Sequence, residues 1–195
     1  MSYVTVTELR DFMDPQGAPD SSRDALLAVL LETASQQIDR ICRRTFTTGT
    51  AGEVRYYTAT DRGRVEIDDA IAITEIATDD NMDRTYSTVW SNTDYELAPR
   101  NALARNRPYT WIQITPNGNS MFPFWRDSVR VKGTFGWSTV PAEVTTACKI
   151  LAYRLFRRQD TPNGILDNPA TLQMRALPEN DPDVVNLLSA YIKYN

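Results

Sequence analysis

The sequence predicts an α+β protein, a helical bundle with an antiparallel β-rich region inserted into it. Three observations predict this class. Apolar residues recur at spacings of three and four before Thr45 and again after Pro141, the period of a helix face. Between Val54 and Trp137 the period shifts toward two, as in half-buried strands. Clusters of Gly, Pro, Asn and Asp punctuate that middle stretch. The whole of 1–195 reads as one domain, with 1–52 and 138–195 helical and 53–137 the β-rich insertion.

The elements follow in order. Thr5 and Glu8 form a T-x-x-E capping box, and Leu9, Phe12 and Met13 share one face of the short helix that follows. Asp14-Pro15 ends it. A long second helix carries Leu27, Leu30, Leu31, Ala34, Ile38 and Ile41 on one face, with Asp20 or Ser21 as its cap and Asp24 near its positive end. Arg40, Arg43 and Arg44 crowd its last turn. Five to seven short antiparallel strands are expected next: around Val65–Ile67 and Ile71–Ile76, at Thr85–Trp90, from Tyr95 to Pro99, at Trp111–Ile114, and at Ser128–Phe135. Asp68-Asp69 and Asp79–Asp83 read as turns. Pro141 opens a third helix over 141–159, with Glu143 in its first turn and Val144, Ala147, Ile150, Leu151, Leu155 and Phe156 on its apolar face. A loop of sixteen residues, 165–180, has little regular signal beyond Leu172–Leu177, and loops that long are usually functional or mobile. Asp181-Pro182-Asp183 starts a C-terminal helix carrying Val184, Leu187, Leu188, Tyr191 and Ile192.

Composition narrows function. With 42% hydrophobic and 24% charged residues the chain is a folded soluble protein. No apolar run approaches the ~18 residues that cross a bilayer, and the N-terminus carries no export signal, so no membrane partner is expected. Cys42 and Cys148 fall among apolar neighbours and read as buried reduced thiols. A net charge of −4 argues against wrapping nucleic acid. The chain has no histidine, which removes the commonest general base, zinc ligand and nucleophile partner.

The remaining chemistry is sparse. Asp79, Asp80 and Asp83 suggest a calcium loop, but the positions that need Gly and Glu hold Arg84 and Trp90; a solvated turn is the simpler account. Gly133-x-x-Gly136 lacks the lysine of a phosphate loop and reads as the bend from sheet to helix. Arg40, Arg43, Arg44 and Arg154, Arg157, Arg158 either complement helix dipoles or meet an acidic neighbour or passing DNA. Met121-Phe122-Pro123-Phe124-Trp125 needs cover, from within the chain or from a partner subunit. No catalytic, metal or cofactor set emerges, and a carboxylate enzyme built on Asp68, Asp69 or Asp79–Asp83 lacks a paired base.

Three stretches carry a resemblance: ALLAVLLETASQQIDRICRRTF; a middle with DYEL and RPYTWIQI; and VRVKGTFGWSTVPAEVTTACKILAYRLFRRQDTPNGI closed by DPDVVNLLSAYIKYN. In order and spacing the chain resembles the gp6-like head–tail connector (adaptor) family of tailed phages and gene transfer agents, over nearly its whole length. The resemblance implies a non-enzymatic virion protein of the neck, assembled in the host cytoplasm. It implies a dodecameric ring under the portal protein that extends the DNA channel, lets genomic DNA pass, and docks a stopper or tail-completion protein. Interface residues expected on this basis are Arg154, Arg157, Arg158, Phe122, Phe124, Trp125, Leu187, Tyr191 and Tyr194, with either Asn180–Asn195 or loop 165–180 reaching the portal. A stopper, tail-completion or minor tail protein is the near alternative, and a DNA-binding regulator the distant one.

Overall fold

The structure, a computed structural model, describes residues 2–17, 21–116, 118, 120–158, 165–166, 175–176 and 182–193. It is α+β and divides into two compact units, Met1–Thr45 with Val140–Asn195, and Phe46–Thr139. Among the described residues the first unit holds four α-helices: α1 (Val6–Met13), α2 (Asp24–Cys42), α3 (Ala142–Arg157) and α4 (Pro182–Leu188). The second holds six strands: β1 (Glu53–Tyr57), β2 (Arg64–Thr78), β3 (Thr88–Val89), β4 (Tyr95–Ala98), β5 (Tyr109–Ile114) and β6 (Val129–Phe135). Ile165–Leu166 (β7) and Arg175–Ala176 (β8) pair antiparallel; β8 falls within Leu172–Leu177, where the sequence carried a signal, and β7 where it carried little. No helix of the described residues is long and apolar enough to cross a membrane.

The capping box starts α1 as its spacing predicts. Thr5 Oγ1 accepts from the Glu8 N–H at 3.2 Å, and Glu8 Oε2 accepts from the Thr5 N–H at 2.8 Å, which satisfies donors that a helix start leaves open. Glu8 is held below its ordinary pKa by these bonds from Thr5. The start of α2 differs from expectation. Its N-cap is Arg23, with no capping side-chain bond; Ser21 contributes only its carbonyl to the Asp24 N–H, and Asp20 lies outside the described residues. The helix ends at Arg43, in the left-handed region with φ 53°.

Leu27, Leu31, Ala34, Ile38 and Cys42 of α2 are buried, each large apolar one contributing about 1.5–3 kcal/mol. On α3 the buried stripe is Val144, Ala147, Cys148 and Ala152. The bulkier Ile150, Leu151, Leu155 and Phe156, expected to form the core face, are only half-buried. The reason is close approach: Ser35 Oγ and Cys148 Sγ stand 3.5 Å apart, and only small residues admit such a crossing. Arg23 lies over Phe156 at 5.5 Å, so α2 and α3 run antiparallel. The C-terminal helix is shorter than predicted, closing as a 3-10 turn at Ser189–Tyr191 with Ile192 extended.

In the β unit the strand order is β1-β6-β2-β5-β4, with β3 beside β2 and every pairing antiparallel. β2 is one strand of 15 residues. Its first half pairs with β5 and its second with β6, with register shifts at Glu66/Ala70, Ala70/Ala72 and Ile73/Glu75. Bulges of this kind bend a strand, so Val65, Ile67 and Ile112 from one half-sheet share a core with Ile76, Val129, Val131 and Phe135 from the other. Asp68 and Asp69 therefore sit inside a strand and not in a turn. Long-range partners make this possible. Asp69, 6% exposed, accepts from Trp137 Nε1 at 2.9 Å. Asp68 accepts from Arg55 at 2.8 Å and from the Tyr57 hydroxyl at 3.1 Å. The predicted strand Thr85–Trp90 shrinks to Thr88–Val89, because Met82, Arg84 and Tyr86 take positive φ and interrupt an extended run.

Gly133 is not a bend. It pairs with Glu53 and Ile73 inside β6, and a Cβ there would stand 2.3 Å from the Ala72 carbonyl oxygen. The bend belongs to Gly136, with φ +99°. Both cysteines are free and buried, as expected, and burial pushes the Cys42 thiol up to about 11.

Candidate assembly surface

The Met121–Trp125 loop joins β5 to β6 and divides its apolar residues between inside and outside. The Phe122 N–H donates to the Arg62 carbonyl at 3.0 Å, which ties the loop to the connection between β1 and β2. Phe122 is 1% exposed and stacks on Trp90 at 4.4 Å, while Trp90 Nε1 donates to Thr78 at 3.2 Å. Ser128 Oγ donates to the Pro123 carbonyl at 2.9 Å. Phe122 is thus satisfied within the chain. Phe124 is 50% and Met121 59% exposed, with Arg62 over the Phe124 ring at 5.4 Å. Trp125 is half-buried, and its indole nitrogen is shielded from solvent without a hydrogen-bond partner. Of the two sources of cover weighed from the sequence, the chain itself supplies one, over Phe122; Met121 and Phe124 stay exposed.

The neighbouring surface is also aromatic. Tyr56, half exposed on β1, packs on Tyr86 at 5.2 Å; the Tyr86 hydroxyl donates to the Asp127 carbonyl at 2.6 Å, and Arg130 lies over that ring. The acidic loop beside it is built for its own shape. Asp79 is 1% exposed and accepts from the Asp83 and Arg84 N–H groups, each at 3.1 Å. Asp83 accepts from Thr85, which holds its carboxyl below the usual range. Among the described residues no three His, Cys, Asp or Glu side chains converge as a metal site.

In the helical unit, Arg154 is half-buried and Arg157 and Arg158 are exposed at the end of α3. Leu187 is half-buried on α4. Tyr191 is 8% exposed and donates to Glu143 Oε2 at 2.9 Å, so its side chain ties the C-terminal turn to the start of α3. Tyr194 lies outside the described residues. Phe124 and Trp125 thus share one loop of the β unit, whereas the α3 arginines, Leu187 and Tyr191 belong to the helical unit.

Sequence reasoning passed over several exposed residues. Phe12, 44% exposed, meets the exposed Tyr153 edge to face at 6.4 Å; spacing had assigned Phe12 to the covered face of α1. Tyr56 and Val54 were hidden by their place in an alternating strand. One signal was available: between Glu96 and Asp127 the sequence has Arg100, Arg105, Arg107 and Arg126 and no acid, which marks the loops of this stretch as cationic.

No family model matches the chain, and no curated protein sequence matches it either. Solved structures do. A chain from the neck of an empty GTA particle, computed with C6 symmetry, is similar over 99% of this chain and 91% of that one, with 17% identity and a TM-score of 0.57. A chain from the neck of a native GTA particle, computed with C12 symmetry, covers 97% and 88% at 19% identity and a TM-score of 0.55. One from the virion of a native gene transfer agent covers 99% and 91% at 18% identity and a TM-score of 0.55. At these identities the likeness establishes a shared fold that extends across both units of the chain.

Proposed function

We propose that the chain is a structural subunit of the virion neck in a tailed phage or gene transfer agent, and more narrowly a head–tail adaptor. In this role copies assemble as a ring, dodecameric in the full proposal, below the portal. The ring extends the DNA channel and docks a stopper or tail component, without enzymatic activity. The observation that carries this is the fold likeness to a neck chain over 99% of the sequence, since a match that includes the helical and β units together is far more specific than either alone. Physical features support it. Phe124, Met121, Tyr56 and Phe12 leave apolar surface open of the composition that protein interfaces use. A net charge of −4 per copy, repeated around a ring, lets DNA slide along a channel in place of binding it.

Two experiments test the proposal. Electron microscopy of particle necks is expected to trace this chain in the ring next to the portal; density for it among tail components would favour a stopper, tail-completion or minor tail role. Light scattering of the purified chain with portal is expected to show association at micromolar concentration, and its absence would count heavily against an adaptor. Tight, salt-sensitive binding to duplex DNA in a mobility shift would instead favour a regulator.

A further inference from the structure

The acid-free stretch of the sequence has a counterpart on the surface of the β unit. From residue 97 to residue 126 the chain has no acid, and Arg100, Arg105 and Arg107 all fall in the connection that joins β4 to β5. That connection is closed by its own backbone. The Ala102 N–H donates to the Pro99 carbonyl at 2.9 Å, the Arg105 and Arg107 N–H groups to the Ala102 carbonyl at 2.9 Å each, and the Asn106 N–H to the Leu103 carbonyl at 3.0 Å. Ala102, 2% exposed, anchors it. Arg107 is half-buried, over the Trp137 ring at 5.9 Å, and serves the fold. Arg100 and Arg105 do not. Arg55, Arg64, Arg126 and Arg130 of the same unit each have a carboxylate within 3.5 Å. Arg105 has no ion pair among the described residues, and Arg100, its side chain 86% exposed, reaches only Glu96 at 3.9 Å, which Gln113 already engages at 2.5 Å. Asn101 and Asn106 are exposed beside them.

We infer that this connection, 99–108, is where the chain touches the phosphate backbone of duplex DNA passing through the ring. A fixed turn that presents guanidinium and carboxamide donors, with no carboxylate of its own, suits phosphate oxygens and reads no base. A protein partner fits it less well. Leu103, 42% exposed, is the one large apolar side chain of the connection, and protein contacts centre on bulky anchors packed in pockets. The inference rests on the channel role proposed above and specifies which part of the chain faces the DNA. Arg100 and Arg105 alone, on a chain of net charge −4, make the contact weak and salt-sensitive, so DNA touched at several points around a ring still slides.

Photo-crosslinking in assembled, DNA-filled particles tests it. Leu103→benzoylphenylalanine places a photoreactive group in the connection, and Val29→benzoylphenylalanine, at a position 62% exposed on α2, is the control. Ala104, exposed beside Leu103, is the second position if the first variant is not incorporated. Irradiation is expected to give a nuclease-sensitive protein–DNA adduct at position 103 and none at position 29. Adding Arg100→Gln and Arg105→Gln removes both phosphate contacts, and is expected to lower the adduct roughly fivefold or more while the amount of the chain in particles stays the same. A protein–protein adduct at position 103, an adduct undiminished by the two substitutions, or no adduct at either loop position overturns the DNA contact and leaves the neck role standing. If the unsubstituted chain is absent from particles, the neck role itself falls, and the contact with it.

Discussion

Gly136→Ala isolates the backbone joint of the β unit. Gly136 has φ +99°, outside the regions open to an L side chain, and holding alanine there costs of order 1–3 kcal/mol. Space adds to this. The new Cβ would lie 2.0 Å from the Thr47 carbonyl oxygen, a backbone atom that cannot swing away as a side chain would. Moving the Thr47 segment loosens the Trp137 N–H to Thr47 bond at 3.4 Å and the Thr48 hydroxyl to Trp137 bond at 2.6 Å, about 1 kcal/mol each. The total is about 3–5 kcal/mol, a large part of a stability of about 5–15 kcal/mol. At ~2–4 °C per kcal/mol for a chain of this size, the melting temperature falls by roughly 10 °C. The assay is unusually clean, because the four tryptophans, Trp90, Trp111, Trp125 and Trp137, all lie in the β unit. Fluorescence during urea unfolding follows that unit, and circular dichroism at the helical band follows the other. Gly63→Ala is the control: its nearest contact would be 3.4 Å, and a change within about 0.5 kcal/mol is expected. If Gly136→Ala unfolds at the same denaturant concentration as Gly63→Ala, the account of this joint is wrong.

Three further outcomes follow from the same contacts. Thr5→Ala removes the α1 cap and costs about 1 kcal/mol, measured as the shift in helical circular dichroism on urea unfolding. Part of that loss depends on pH. The folded pKa of Glu8 lies below its ordinary 4.5, so its stabilisation is complete above that value and is lost as pH falls through the folded pKa; wild type and variant should converge in acid. Phe122→Ala should cost about 3–5 kcal/mol and Phe124→Ala under about 0.5 kcal/mol in fluorescence-monitored urea unfolding; equal losses would contradict the division of that loop between inside and outside. Cys42 is buried with its thiol pushed up to about 11, and Cys148 is raised by burial as well, so a thiol reagent at neutral pH should label neither until urea unfolds the chain.

What the sequence disclosed depended on distance along the chain. The Thr5–Glu8 box spans three residues, and its bonds were legible from the pair alone. The period change between α2 and the strands was equally local. Asp68-Asp69 misled because two adjacent acids carry the signature of a turn, while the groups that hold them in β2 are Arg55 and Tyr57 on one side and Trp137 on the other. Such partners become visible only once the strands are in register. The apolar face of α3 failed for a different reason. Hydrophobicity ranks Ile150 and Phe156 above Ala147 and Cys148, but helix approach rewards small side chains, so the less apolar residues took the centre. In the Met121–Trp125 loop, composition pointed to exposed apolar surface, and Met121 and Phe124 are exposed. Which ring turned inward was decided by the Phe122 N–H reaching Arg62, a contact no spacing rule contains.

The placement of Asp68 also bears on how copies can meet. A sheet ordered β1-β6-β2-β5-β4, with the two-residue β3 beside β2, has three outer strands, β1, β3 and β4, and an open outer strand invites strand pairing between copies. Here β1 faces its own β2 through Asp68, which takes Arg55 and the Tyr57 hydroxyl, while the Asp68 N–H donates back to that hydroxyl at 3.3 Å. The seam half-closes the sheet with side chains where a barrel would use a ladder, and Arg55, over the Phe135 ring at 4.2 Å, covers the core beneath it. At the other edge β4 is four residues long, carries Glu96, and stops at Pro99, all features that discourage strand addition. With β1 and β4 blunted and β3 only two residues long, any contact between copies would fall to side-chain surfaces. That favours the exposed aromatic and charged faces over the sheet edges, and it gives Asp68→Ala a second effect to look for: loss of the seam at little cost to the fold, because Asp68 is 52% exposed and surface ion pairs contribute about 0–1 kcal/mol, accompanied by new concentration-dependent aggregation in light scattering. A variant that stays as monodisperse as wild type would show that β1 was never at risk and that the seam guards nothing.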